Sequence, residues 1–181
     1  MFLFSLFRKS VAELKDLRSL VGLALFMALG IVLEIIGTIQ VLPELQLSFG
    51  FLTAALIGML YGPFCAAVTG TFTDLIVFSL HPTGVYFPGF TLTSLLGGIF
   101  YGLILYKKKH SLGRLILAKS SVTLFLNILL NSFWLTLLYD QAFFAMLPVR
   151  ITKNLIMLPV EILLMWLVLP RAAKLAPPPS H

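Results

Sequence analysis

The feature that most constrains the fold is a series of apolar segments that can form helices across a lipid bilayer. Six of them cover most of the 181 residues: 20–39, 49–61, 64–80, 90–106, 115–138 and 149–169. About 20 apolar residues in a helix span a bilayer, and in hydrocarbon only helices and closed barrels satisfy every backbone hydrogen bond. The second segment is short and ends at Gly62-Pro63, a strong helix breaker. The pattern predicts an all-α membrane protein with six transmembrane helices.

Composition supports this fold class and excludes others. The chain is 59% hydrophobic and 11% charged, whereas soluble domains are roughly 25% charged. The net charge of +6 comes from basic residues in separate loops, so we expect no nucleic-acid partner. Cys65 is the only cysteine, so no intrachain disulfide can form.

The chain divides into three predicted regions. Residues 1–18 form an N-terminal amphipathic, cytoplasmic segment, either a helix on the membrane surface or a frayed tail. Its apolar residues precede Arg8 and Lys9, the reverse of a signal peptide, so we expect no cleavage. Residues 19–172 form the six-helix membrane domain, and residues 173–181 form a cytoplasmic tail.

Basic residues fix the predicted orientation, because Lys and Arg concentrate in cytoplasmic loops. They occur before the first span, between the fourth and fifth, and after the sixth: Arg8, Lys9, Lys15 and Arg18; Lys107, Lys108, Lys109 and Arg114; Arg171 and Lys174. A six-span chain places all three groups on one side. Both termini are therefore predicted to be cytoplasmic.

Arg150 and Lys153 are the exception to this charge pattern. They open the sixth span at its outer end, where Lys and Arg are normally scarce. The N-terminus of a helix also carries partial positive charge. Two cations there indicate an anionic ligand. Arg150 shares a helical face with Asn154 and is the better candidate, whereas Lys153 lies to one side.

Polar residues inside spans are costly and indicate function by default. Near the outer end of the fifth span, Asn131 is a candidate for ligand contact. Lys119 and Glu161 lie deeper, and we interpret them as hydrogen-bonding groups that hold helices together.

The remaining candidates lie in or beside the first, third, fourth and fifth spans. Asp74 and Glu34 could pair with the outer cations, or could accept hydrogen bonds from ligand N–H groups. Phe87 and Phe90, with Trp134, suit stacking on a flat ring or an ordinary interfacial aromatic belt.

Several catalytic signatures are absent from the sequence. It contains no phosphate-binding loop, zinc-protease motif or serine-hydrolase elbow. His81 and His110 fall on opposite sides of the predicted membrane domain and cannot share a metal. We expect no enzyme activity, no metal and no cofactor.

Several short motifs together carry a family resemblance over residues 20–169. They are Ser48-Phe49-Gly50-Phe51-Leu52, Phe87-Pro88-Gly89-Phe90-Thr91-Leu92, Tyr101-Gly102-Leu103 with Leu105-Tyr106-Lys107-Lys108-Lys109, Leu129-Leu130-Asn131 with Trp134, and Arg150 followed by Lys153-Asn154-Leu155-Ile156-Met157-Leu158-Pro159. With them, the chain resembles the folate group of S components of energy-coupling factor (ECF) vitamin transporters.

The resemblance implies a six-helix bundle in a bacterial cell membrane that binds its vitamin from outside. Such a component docks on a transmembrane T component and two ABC-type ATPases, which hydrolyse ATP. Ala24 and Ala28 match the family's docking motif. Under this interpretation, the candidate substrate-binding residues are Arg150, Asn154, Lys153, Asn131, Trp134, Phe87, Phe90 and Asp74.

One position departs from the family pattern. Folate-group relatives often carry a basic residue shortly after the second alanine of the first span, and Gly30 stands there. This leaves open an alternative: an S component for another vitamin, such as a corrinoid, a thiazole or a pantothenate-like compound.

Overall fold

A computed structural model describes residues 2–37, 39–42, 45–82, 85–108, 110–139 and 143–175. Within them the chain is almost entirely helical, as predicted. The elements are α1 (Phe2–Glu13), α2 (Leu17–Ile35), β1 (Ile39–Leu42), β2 (Leu45–Leu47), α3 (Gly50–Leu80), α4 (Pro88–Leu105), α5 (Leu112–Ser121), a π-helical segment (Val122–Leu130), α6 (Asn131–Tyr139) and α7 (Phe143–Leu175). The all-α fold class is confirmed.

In the part of the chain that the structure describes, five helical stretches are long and apolar enough to cross a membrane: Leu17–Ile35, Gly50–Leu80, Pro88–Leu105, Leu112–Leu138 and Leu147–Lys174. The stretch Leu112–Leu138 joins α5, the π-helical segment and α6 into one continuous rod. It corresponds to the fifth predicted span, and we call it the fifth rod. The chain is therefore a multi-pass membrane protein.

Helix α3 is two helical segments, because the backbone breaks at Gly62. This glycine has φ 90° and ψ −178°, a conformation that is essentially restricted to glycine. In a straight helix, residues 50 and 74 would be about 36 Å apart. Instead, a Cβ at Gly50 would lie 3.0 Å from the Glu34 carboxylate, and Asp74 acts electrostatically on the same carboxylate. The segments 50–61 and 63–80 thus fold back on each other. With α3 counted as two segments, the described membrane helices number six, as predicted.

The N-terminal helix α1 packs against this turn. The Ser10 hydroxyl donates to the Tyr61 carbonyl (2.7 Å) and accepts from the amides of Phe64 and Cys65 (3.1 Å each). Residues 63–65 begin the second segment, whose first N–H groups have no partner within the helix. Ser10 therefore caps that segment, and α1 is not a frayed tail.

The apolar core extends along the bundle. Its buried members include Leu52 near the start of α3, Leu105 at the end of α4, Leu115 near the start of α5 and Leu169 near the end of α7. The last three lie at the end that the charge pattern assigns to the cytoplasm, and Leu52 lies near the opposite, outer end.

Two short strands connect α2 and α3, between the first two predicted spans. Strands β1 and β2 pair antiparallel, with Ile39 opposite Leu47. Alternating apolar and polar residues on both sides of a proline in the sequence favour such a pair of strands. Lys109 and residues 176–181 of the predicted tail lie outside the described residues.

Candidate ligand-binding site

A cavity of about 550 Å³ opens between α2, both segments of α3, α4 and the fifth membrane rod. This volume is in the range of pockets that hold small organic ligands. It lies toward the outer end, since its lining includes Glu34 near the end of α2 and Phe90 at the start of α4. The turn at Gly62 makes it possible, because both α3 segments contribute to the wall.

Two carboxylates, Glu34 and Asp74, give the cavity an acidic wall. Asp74 accepts hydrogen bonds from the hydroxyls of Thr91 (2.6 Å) and Ser94 (3.3 Å). These bonds fix its orientation, and a carboxylate with about four acceptor positions can still receive others. Asp74, a predicted site residue, thus faces the cavity, and the wall suits a ligand with adjacent N–H donors.

Aromatic rings form the outer part of the cavity. Phe87 and Phe90 line it, and their ring centroids are 6.0 Å apart. Trp134 does not line it but packs behind Phe87, with centroids 5.5 Å apart. The Trp134 indole N–H donates to the Thr93 hydroxyl (3.1 Å). We interpret Trp134 as a support that fixes the Phe87 ring.

Asn131 and Asn127 place amide groups on the wall that the fifth rod provides. The Asn131 Oδ1 is buried and has no hydrogen-bond partner among the described residues. A buried polar atom without a partner is costly, so this oxygen is well suited to a ligand donor. Both asparagines lie in or beside the π-helical segment, a rare conformation that is frequent at functional sites.

The floor of the cavity contains a charged group. The Lys119 Nζ lies 3.0 Å from the Glu161 Oε1 and 4.1 Å from the centroid of the Phe51 ring. The Tyr101 hydroxyl is buried without a partner among the described residues, and both Lys119 and Tyr101 line the cavity. Glu161 and Lys119 do join two helices, as the sequence indicated, but Lys119 also faces the ligand space.

Sequence reasoning did not select Tyr101 or Phe51 as site residues, although both belong to the motifs that carry the family resemblance. Their positions in those motifs were the available signal. Each residue faces the cavity from a helix whose apolar pattern alone does not distinguish a core-facing from a ligand-facing ring.

Arg150, Lys153 and Asn154 lie outside the cavity lining. An Arg150 Nη1 donates to the backbone carbonyl of Asn127 (3.2 Å), and Asn154 donates to the carbonyl of Arg150 (2.9 Å). Arg150 and Lys153 repel each other electrostatically. Asn127 itself lines the cavity, so Arg150 contacts a wall residue, but neither cation lines the cavity with Asp74.

Gly30 is buried against the cavity wall. A Cβ at this position would lie 2.7 Å from the hydroxyl oxygen of Thr53, and Thr53 lines the cavity. A long side chain at position 30 would therefore displace Thr53. This glycine permits the close packing of α2 on α3.

Ala24 and Ala28, the predicted docking pair, occupy an exposed face of α2. Neighbouring positions on this helix are also exposed and apolar, among them Val21, Leu25 and Leu29. The face is therefore available to lipid or to a protein partner.

Comparisons with known proteins agree with this architecture. The family described as "ECF transporter, substrate-specific component" matches residues 18–169. A folate transporter FolT of Clostridium novyi (strain NT) is 35% identical over 150 residues, which are 81% of this chain and 87% of the relative. The FolT of Leuconostoc mesenteroides subsp. mesenteroides is 37% identical over 155 residues, with 81% and 82% covered.

A solved structure gives the same result. A crystal structure of FolT bound with folic acid matches with a TM-score of 0.78 and 32% sequence identity, and it covers 86% of this chain and 95% of that one. The chain belongs to the family of substrate-specific components of ECF transporters.

Proposed function

We propose that this protein binds folate from outside the cell and delivers it through an ECF transporter. The observation that carries the proposal is the outer cavity of about 550 Å³ with an acidic wall and aromatic rings. The relatives named folate transporter and the FolT structure with folic acid support the same ligand. A pterin ring is flat and carries adjacent N–H donors, and both properties match this cavity.

In the proposed complex the acidic wall forms hydrogen bonds with the edge of the pterin ring. The Asp74 carboxylate, oriented by Thr91 and Ser94, accepts from the amino and ring N–H groups, and Glu34 faces the same space. Asn131 offers a further acceptor at its unpartnered oxygen. Phe87 and Phe90 provide faces for stacking.

The carboxylates of the glutamate tail require positive charge. Arg150 and Lys153 provide two mutually repelling cations near the outer end of the bundle, and an anion between or beside them would relieve the repulsion. Because neither cation lines the cavity and Arg150 contacts the lining residue Asn127, the tail would have to extend beyond the cavity to reach them. Asn154, bonded to the Arg150 carbonyl, would then act by holding that turn of α7.

Delivery follows from family membership. In this proposal the protein has no catalytic activity and docks, through the α2 face that contains Ala24 and Ala28, on a T component associated with two ATPases. The site of action is the bacterial plasma membrane, with both termini in the cytoplasm. Reconstitution in liposomes tests this part, since uptake should require the T component, both ATPases and ATP.

Titration of the purified protein with folate tests the ligand. We expect saturable 1:1 binding that Asp74→Asn weakens about tenfold or more, because a charged acceptor becomes a neutral amide. Asp16→Asn is the matched control, since Asn also caps helices well and Asp16 caps α2 at the other end of the bundle. Absence of saturable binding at micromolar folate would refute the proposal.

Gly30 supports a second candidate, an S component for another vitamin. Its close packing on Thr53 leaves no room for the basic side chain that the folate group often carries there. A corrinoid, a thiazole or a pantothenate-like compound would then be the ligand. A competition screen with labelled folate decides between the two candidate functions. A vitamin that the protein prefers would displace labelled folate at a lower concentration than unlabelled folate does.

A further inference from the structure

A second cavity, of about 340 Å³, lies at the cytoplasmic end of the bundle. It is formed where α5 begins and α7 ends, and its lining residues are His110, Trp166, Leu167, Pro170, Arg171 and Lys174. It is separate from the outer cavity, with which it shares no lining residue.

The chemistry of this cytoplasmic pocket favours an anion. Two of its lining residues, Arg171 and Lys174, are cations, a third is a histidine, and none is acidic. One Arg171 Nη1 donates to the Leu167 carbonyl, which orients the guanidinium and leaves its other donors available. The pocket also lies beside the N-terminus of α5, whose free amides favour negative charge.

The surroundings of the pocket favour a lipid over a soluble anion. Trp166 is 46% exposed, and Leu163 and Val160, one and two turns earlier on α7, are 53% and 44% exposed. This apolar strip is part of a helix long enough to cross the membrane, so it faces acyl chains. A partly exposed tryptophan at its cytoplasmic end matches the usual position of tryptophan at the membrane interface.

We propose that this pocket binds the phosphate of an anionic phospholipid from the inner leaflet. Arg171 and Lys174 hold the headgroup, the Trp166 indole lies at the level of the glycerol, and the acyl chains lie along Leu163 and Val160. Basic pockets at the cytoplasmic ends of membrane helices are known to bind anionic headgroups. The general enrichment of lysine and arginine on the cytoplasmic side explains why these residues are basic. It does not explain why they surround a concave site beside a tryptophan.

Quenching of tryptophan fluorescence by brominated lipids tests the proposal. The chain has two tryptophans, so Trp134→Phe leaves Trp166 as the only reporter. This protein is reconstituted in vesicles that contain equal fractions of phosphatidylglycerol and phosphatidylcholine, with one or the other brominated. We expect brominated phosphatidylglycerol to occupy the site about fivefold or more in preference to brominated phosphatidylcholine. Each basic residue near an anionic surface strengthens binding by about fivefold.

The double variant Arg171→Gln/Lys174→Gln should abolish most of this preference. The matched control is Lys15→Gln/Arg18→Gln, which removes the same charge from exposed positions on the same side and should retain it. Equal quenching by both lipids, or equal loss in the two double variants, would overturn the proposal.

A further arm separates lipid from free phosphate. Addition of millimolar inorganic phosphate at constant ionic strength should leave the preference unchanged if acyl chains contribute to binding. Its abolition would identify the pocket as a site for a soluble anion and would also overturn the lipid assignment. Neither arm depends on folate binding.

Discussion

A double-variant experiment should measure how much the ion pair between Lys119 and Glu161 contributes to stability. The Nζ–Oε1 distance is 3.0 Å, and the side chains are only 2% and 14% exposed. Loss of one partner of a buried pair leaves an uncompensated charge and costs about 3–5 kcal/mol, whereas replacement of both by apolar residues is often neutral or stabilising. Lys119→Met should therefore cost about 3 kcal/mol or more. Lys119→Met/Glu161→Leu should recover most of this, apart from the contact with the Phe51 ring.

Thermal unfolding of each variant in one detergent measures these differences. For a protein of this size, 1 kcal/mol corresponds to about 2–4 °C in Tm, so the single variant should lose roughly 6–12 °C and the double variant roughly 4 °C or less. Lys9→Met, an exposed change of the same type, should leave Tm within about 1 °C. The reasoning fails if the double variant loses as much as the sum of both single variants.

The same double variant separates structure from ligand contact. Lys119 lines the cavity, so its replacement should still weaken folate binding after Tm has recovered. Folate binding as tight as in the wild-type protein would show that Lys119 acts only between helices. In that case the floor of the site would consist of Tyr101 and apolar side chains.

Three further substitutions have defined outcomes. Gly62→Ala should lower Tm by several degrees, since the backbone conformation at Gly62 costs other residues about 1–3 kcal/mol. As a control, Gly113→Ala in α5 should leave Tm unchanged or slightly raised, because a Cβ there would meet only the Ser111 hydroxyl, at 4.0 Å. Gly89→Ala should shift the tryptophan emission and weaken folate binding, because the new Cβ would lie 2.6 Å from the Trp134 ring. An unchanged emission spectrum would contradict that packing. Arg150→Ala should raise the folate Kd about 10- to 100-fold, because a charge-assisted hydrogen bond contributes a free energy of that size. An unchanged Kd would show that Arg150 is not part of the site.

The membrane spans and the break at Gly62-Pro63 could be predicted from sequence, because both depend on local chemistry. A long apolar run has one stable backbone arrangement in a bilayer. A glycine followed by proline interrupts that arrangement wherever it occurs. The hairpin between α2 and α3 was missed, since its two strands are short and the apolar pattern around them is dominated by the helices.

The position of the cations relative to the cavity could not be predicted. Helical spacing shows that Arg150 and Asn154 share a face, but not which way α7 is rotated in the bundle.

The polar residues of the fifth rod that face the cavity were also difficult to predict. Steps of four residues advance about 40° beyond a full turn of an α-helix, so a polar stripe should drift. The wider π-helical segment contains more residues per turn, and Lys119, Asn127 and Asn131 all reach the cavity.

The cap that Ser10 forms has a consequence for how the protein enters the membrane. α1 is synthesised before the turn at Gly62, and four hydrogen bonds later join Ser10 to Tyr61, Phe64 and Cys65. α1 carries charged residues and does not cross the bilayer, so it can meet the turn only on the side where translation began. An inverted hairpin would lose all four bonds. The N-terminal helix therefore favours the native orientation of the second and third membrane crossings, and an N-terminal fusion that displaces it would remove these bonds.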